Sequence, residues 1–212
     1  MFKRFLASIT GEAIALFARL VTAVRGIWAG VEPVRRQRIY FANHTSNGDF
    51  VLLWTVLPPS LRAETRPVAA ADYWLTSNLR AFVGRDVFNA VLIDRNPDTR
   101  TDDPVGQMVE ALEDGSSLIL FPEGKRNMDH DVPLLPFKAG LFHVATRRRD
   151  VELVPVWIEN LNRVMPKGEV IPVPLICTVS FGAPIQLGDG EDKATFLARA
   201  EAALLSLKEG AA

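Results

Sequence analysis

The chain has almost no cysteine: Cys177 stands alone among 212 residues. That excludes an internal disulfide and a cysteine-rich zinc site, and a chain without disulfides fits the cytosol. The surroundings of that residue, Leu175-Ile176-Cys177-Thr178-Val179, read as a buried strand. Histidine is scarce as well. His44, His130 and His143 are scattered, which leaves little from which to build a multinuclear metal site. Net charge is nearly absent at −1, and this argues against nucleic acid as a partner. No uncharged apolar run approaches the ~20 residues of a spanning helix, because Glu12, Arg19 and Arg25 interrupt the N-terminal candidate. Glu12 also breaks any signal-peptide core, and no small-residue cleavage pattern follows it. Internal repeats and a Gly-x-Ser-x-Gly nucleophile elbow are both missing, which weakens a serine-hydrolase reading.

What is present is an ordinary globular composition, 48% apolar and 23% charged, at a length that suits one domain with an appendage. The charge is unevenly spread. Residues 1–40 carry seven basic against two acidic side chains, a balance of +5; the remainder carries 17 against 23, a balance of −6. The basic end is also the amphipathic end. Phe2, Phe5, Leu6, Ile9, Ala13, Leu16, Phe17, Leu20, Val21, Val24, Ile27 and Trp28 recur at spacings of three and four. This stripe predicts an interfacial helix over 1–29, or a pair split at Gly11, lying on a lipid surface. A core-packed amphipathic helix fits the same pattern. The expected division is a membrane-associating segment over 1–30 and a folded domain over 31–212.

Further on, strands and helices alternate. Strands are expected at 37–42, 67–71, 88–93, 117–121, 151–158 and 175–181, with helices at 50–57, 72–83, 103–114, 137–149 and 192–208. Asp103 and Pro104 are an N-cap and a first helical residue, and Gly115 follows the end of that helix. The pattern predicts an α/β fold: a largely parallel mixed sheet flanked by helices, with ligands gathering where loops leave the strands.

Two stretches carry chemistry. The first is Asn43-His44-Thr45-Ser46-Asn47-Gly48-Asp49, at a strand-to-helix bend. Five residues cannot align two side chains on one helical face, so a His44–Asp49 pair requires the bend itself. Ser46 is the expected N-cap, with Asp49 at the third helical position. Asp49 then takes the hydrogen of one imidazole nitrogen and the other becomes a base for a hydroxyl. The same residues also fit a plain helix start beside a surface histidine. The second stretch is Leu118-Ile119-Leu120-Phe121-Pro122-Glu123-Gly124-Lys125-Arg126-Asn127, a strand that ends in a turn and two cations. Arg95 and Lys138 also follow strand or loop ends. Together with Lys125 and Arg126 they form a set suited to a phosphate monoester.

Taken in order, these stretches resemble the conserved blocks of the glycerolipid acyltransferases, the group that includes 1-acylglycerol-3-phosphate acyltransferase. Residues 43–49 resemble the His-x4-Asp block, and Val91-Leu92-Ile93-Asp94-Arg95-Asn96 the next. Residues 121–127 resemble the block written Phe-Pro-Glu-Gly-Thr-Arg-Ser, with Lys125 for Thr and Asn127 for Ser. Val154-Pro155-Val156 resembles the last. The resemblance implies transfer of a fatty acyl group from acyl-CoA or acyl carrier protein to the free hydroxyl of a glycerol-phosphate acceptor. Lysophosphatidate, giving phosphatidate in phospholipid biosynthesis, is the first expectation; other lyso-lipids and glycerol-3-phosphate stay open. It implies His44 as base and Asp49 as its partner. Glu123, Gly124 and Arg126 go to acceptor binding, and Arg95 to the phosphate. It implies no cofactor beyond the thioester co-substrate, and a peripheral or monotopic place at the cytoplasmic face of a membrane. A lipid hydrolase and a non-catalytic membrane-binding protein are the remaining alternatives.

Overall fold

Arg38–Ala42 is buried along its whole length. Its side chains alternate, with Tyr40 and Ala42 in one apolar cluster and Ile39 and Phe41 in another. A strand apolar on both faces needs helices on both sides. In the computed structural model, which describes residues 2–94, 103–129, 131–161 and 176–209, this strand lies at the centre of a seven-stranded sheet. The strands are β1 (Arg25–Trp28), β2 (Arg38–Ala42), β3 (Thr65–Ala70), β4 (Val91–Ile93), β5 (Ser117–Leu120), β6 (Glu152–Glu159) and β7 (Thr178–Phe181), in the order β1-β7-β6-β2-β5-β3-β4. Neighbours are parallel except β6 and β7, so the sheet is mixed, as expected. One face is covered by α1 (Phe2–Thr22) and α2 (Asp49–Val56). The other is covered by α6 (Pro104–Glu113), α7 (Gly140–Arg147) and α8 (Lys193–Glu209). Short helices α3 (Pro59–Arg62), α4 (Ala71–Trp74) and α5 (Asn78–Ala81) and a π-helical turn (Phe82–Val87) fill the connections.

Four expectations need correction. The first helix is unbroken at Gly11 and ends at Thr22, not at 29. Ala23 turns with φ +44. The Thr22 carbonyl then accepts from Cys177 N–H at 2.9 Å, and Arg25 N–H donates to the Cys177 carbonyl at 3.0 Å. The chain is captured by β7, and Trp28 stacks on Phe181 at 3.9 Å. Second, the helix expected over 72–83 is α4, α5 and the π-turn. Ser77 restarts it by accepting from Arg80 N–H, and the π-turn brings Phe88 onto Phe50 and Trp54. Third, α7 runs from Gly140 to Arg147 and not over 137–149; before it, the amides of Phe137 and Lys138 are held by Glu201 and by the Pro122 carbonyl. Fourth, Ser46 is not the cap of α2: Gly48 holds that position with no side-chain bond, and Asp49 is the first helical residue. The expected Asp103 cap is present, accepting from Val105 N–H at 3.0 Å.

α1 is packed the unusual way round. Its buried seam is Ala7, Gly11, Ala15, Ala18 and Thr22. Phe2, Phe5, Leu6, Ile9, Leu16, Phe17 and Leu20 point outward, Phe5 being 64% exposed. Small residues let α1 approach closely; a Cβ on Gly11 would meet Trp54 and Val87 at 3.3 Å. By length and apolar composition alone α1 could cross a bilayer. Three of its four charges are nonetheless tied to the domain: Glu12 to Arg62 at 2.9 Å, Lys3 to Asp86 at 2.9 Å, and Arg19 to the Thr55 carbonyl at 3.0 Å.

Candidate active site

β2 and β5 are parallel neighbours, with Phe41 opposite Leu120. Three residues beyond each partner stand His44 and Glu123, so the register alone brings the two chemical stretches side by side at the carboxyl edge of the sheet. The side chain of Asn43 fastens this edge: it accepts from Ile158 N–H at 2.7 Å and donates to the Ile158 carbonyl at 2.9 Å.

The bend after β2 does what the spacing of His44 and Asp49 requires. Asp49 is fully buried. Its Oδ2 accepts from the amides of Thr45 at 2.6 Å and Ser46 at 2.8 Å, and from His44 Nδ1 at 2.9 Å. A carboxylate can only accept, so Nδ1 carries the hydrogen and Nε2 is left with its lone pair. Phe121 stacks on the imidazole at 4.3 Å and fixes its plane. The amides of Thr45 and Ser46, just before α2, are taken by Asp49 and so are not open to a developing oxyanion.

The main chain of His44 is gripped on both sides. Its N–H donates to Glu123 Oε1 at 2.7 Å, and its carbonyl accepts from Asn127 N–H at 2.6 Å. Glu123 Oε2 accepts from Leu135 N–H at 2.8 Å. At 2% exposure, burial pushes the Glu123 carboxyl above the ordinary carboxylate range. The nearby Asp49 charge adds to that, while the two amide bonds offset part of it. The resemblance sends Glu123 to the acceptor; the structure gives its carboxylate two backbone partners and leaves it off the cavity wall. Asn127 also donates to the Val132 carbonyl at 2.6 Å and so folds the loop back on itself.

In front of His44 opens a cavity of about 740 Å³. Gly124, Lys125, Arg126 and Lys138 line it together with His44. Gly124 is required by its backbone, with φ +68; a Cβ there would also push aside the flexible end of Lys138, whose Cδ would lie 2.7 Å away. Among the described residues, Lys125, Arg126 and Lys138 have no acidic partner. Of the two acids on the cavity wall, Asp103 is committed to Arg147 at 3.0 Å, and Asp94 has an interaction of its own. Arg95 lies outside the described residues. The rest of the wall is apolar, with Phe50, Val68, Tyr73, Trp74, Met108 and Leu141 among its members. His143, one of the three scattered histidines, also lines this cavity. Its place in the first turn after Lys138 is the one sequence signal that could have found it. Burial, and after it the nearby Asp49 charge, pushes the Cys177 thiol up to about 11, which disfavours the reactive thiolate. Among the described residues no three His, Cys, Asp or Glu side chains form a metal-ligand group.

This arrangement has relatives. A family model described as Acyltransferase matches residues 28–159. The 1-acyl-sn-glycerol-3-phosphate acyltransferase of Escherichia coli is 33% identical over 139 residues, covering 59% of this chain and 51% of that protein. The enzyme of the same name from Limnanthes douglasii is 30% identical over 169 residues, covering 76% of this chain and 54% of its own. The chain thus spans about half the length of these curated relatives. The crystal structure of a 1-acyl-sn-glycerophosphate (LPA) acyltransferase, PlsC, from Thermotoga maritima superposes with a TM-score of 0.73 at 21% identity, covering 99% of this chain and 81% of that one. This likeness carries the fold. With the family model matching more than half of its residues, this chain is a member of the acyltransferase family.

Proposed function

We propose that the protein transfers a fatty acyl group from an acyl thioester to the free hydroxyl of 1-acylglycerol-3-phosphate, giving phosphatidate. The observation that carries this is one cavity lined by two kinds of group: His44, its Nδ1 tied to Asp49, and the cations Lys125, Arg126 and Lys138, which have no acidic partner among the described residues. The cations hold the acceptor phosphate and so bring its hydroxyl to Nε2. Nε2 takes the hydroxyl proton as the oxygen attacks the thioester carbon. The carbon–sulfur bond then breaks, and the proton passes from His44 to the departing thiolate. Asp49 orients the imidazole and stabilises the imidazolium in between. The resemblance of residues 91–96 to a family block adds Arg95 to the proposed phosphate set. The names of the relatives support the acceptor, and the donor is either acyl-CoA or acyl carrier protein.

The outward phenylalanines of α1 support a monotopic protein at the cytoplasmic face of a membrane, with residues 1–30 as the lipid-associating part and 31–212 as the acyltransferase domain. In water, each such side chain forgoes about 1.5–3 kcal/mol of burial; in a lipid interface that is recovered. The test is thiol release from a long-chain acyl-CoA, then from the matching acyl carrier protein. The acceptors are lysophosphatidate, glycerol-3-phosphate, lysophosphatidylcholine and a non-phosphate lyso-lipid. Release that depends on lysophosphatidate is expected. Equal release with no acceptor at all would replace the transferase by a hydrolase.

A further inference from the structure

Between β3 and the π-helical turn the chain runs out as a knuckle, residues 72–80, in which every residue but Trp74 is exposed. Its apolar side chains point into solvent: Leu79 is 72% exposed, and Tyr73 and Leu75 are also open. Arg80 lies with its guanidinium 4.7 Å over the Tyr73 ring and donates to Thr76 Oγ1 at 3.0 Å. The knuckle adjoins two features already described. Tyr73 and Trp74 are part of the cavity wall. Trp74 also rests on Gly84 of the π-turn, where a Cβ would come within 3.1 Å of its ring. That turn packs on α1, with Asp86 paired to Lys3 at 2.9 Å. The mouth of the cavity, the knuckle and the outward face of α1 are therefore joined through one rigid turn.

We propose that the knuckle is a second lipid contact, which seats the rim of the cavity in an anionic bilayer surface beside α1. The inference rests on the reading of the protein as a membrane-surface acyltransferase. Charge complementarity selects the occupant. Arg80 and Arg85 are exposed there, Asp86 is already neutralised by Lys3, and Asp72 is the single acid of 72–80. The shape points the same way: leucines protruding from a short turn suit insertion among acyl chains, with arginine at headgroup level. Continuity supplies the reason for it. An acceptor lying in the same leaflet reaches the cations past Tyr73 and Trp74 without its acyl chain crossing water.

The test is flotation of the full chain with vesicles of phosphatidylcholine containing roughly 30% phosphatidylglycerol, with no substrate present. Leu75→Glu with Leu79→Glu is expected to weaken partitioning by roughly tenfold or more, at an unchanged melting temperature. Arg80→Glu is expected to weaken it on the mixed vesicles and leave pure phosphatidylcholine unaffected. Partitioning of the double variant at the wild-type level overturns the proposal. So does a wild-type dimer in analytical ultracentrifugation that the double variant abolishes while vesicle binding stays, since the occupant is then a second copy. Should the glutamates prevent folding, Leu79→Cys carrying an environment-sensitive dye decides: a blue shift on vesicles supports the contact, and an unshifted spectrum overturns it. Thiol release from a water-soluble short-chain thioester to a short-chain acceptor is read on the same proteins. Its absence in every protein removes the catalytic reading and leaves the vesicle result standing.

Discussion

The two kinds of group that line the cavity are held in opposite ways. Around His44 the protein supplies most of the partners: Asp49 and Phe121 for the imidazole, three N–H donors for the Asp49 Oδ2, Glu123 and Asn127 for the His44 main chain. The three cations stand without acids among the described residues. The imidazole is therefore oriented by the protein alone, while the cations are open to an anionic ligand. On the proposed function, proton transfer belongs to the preorganised group and recognition to the open one.

Substitutions test that separation, the largest effect first. His44→Ala should lower kcat by about 10²–10⁴, with acceptor KM and the circular dichroism spectrum unchanged; turnover near the wild-type rate removes His44 as the base. Asp49→Asn should cost about 10²-fold or more in kcat. It should also destabilise the fold by about 1–3 kcal/mol, because a neutral amide oxygen replaces the charged Oδ2 as acceptor of three N–H bonds and the new NH2 group is buried where Oδ1 has no partner. Urea titration separates the two effects.

Arg126→Ala or Lys125→Ala should raise the KM for a phosphorylated acceptor by about tenfold, the scale of one charged hydrogen bond, with kcat and donor KM nearly constant. Added salt should reproduce the change in direction. A rise in donor KM instead would move the phosphate site elsewhere and blur the distinction between the two kinds of group. Lys125→Thr restores the residue of the resembled block and shows whether the extra cation tightens the dianion.

The smallest effect concerns Glu123. Its native pKa is raised, so the native state binds this proton more tightly than the unfolded chain does. Stability from this carboxyl is therefore gained as pH falls from neutrality through the raised native value into the ordinary carboxylate range, and is level below it. Glu123→Gln lacks that titration. The denaturant midpoint of wild type minus that of Glu123→Gln should rise on acidification across this window; a flat difference breaks the assignment.

Much of this was legible in the chain. His44 and Asp49, Gly124, and the pair Lys125 and Arg126 sit where strands end, and short-range spacing is what a linear reading sees best. The fold class followed from alternation of strand and helix. Other features escaped because their causes are long-range. Glu123 looks like a ligand-facing acid in its own loop; its partners are the amides of His44 and Leu135, which only the β2–β5 register and the later loop bring to it. Ser46 is a good cap by residue type, but tertiary packing starts α2 at Asp49. Val24, Ile27 and Trp28 fit a helical stripe and a strand equally, and pairing with β7 decides. Periodicity identified an apolar face on α1 but could not tell that the small residues would take the inside.

The capture of the α1–β1 junction by β7 has a consequence for assembly. Arg25 pairs with Thr178, and the Thr22 carbonyl is held by Cys177. During synthesis, residues 2–22 are complete long before the stretch that clamps them exists. Contacts so far apart in sequence form late, so α1 waits for most of the chain before the strand that fixes its end is made, and the helix with its outward phenylalanines is exposed before the active site is complete.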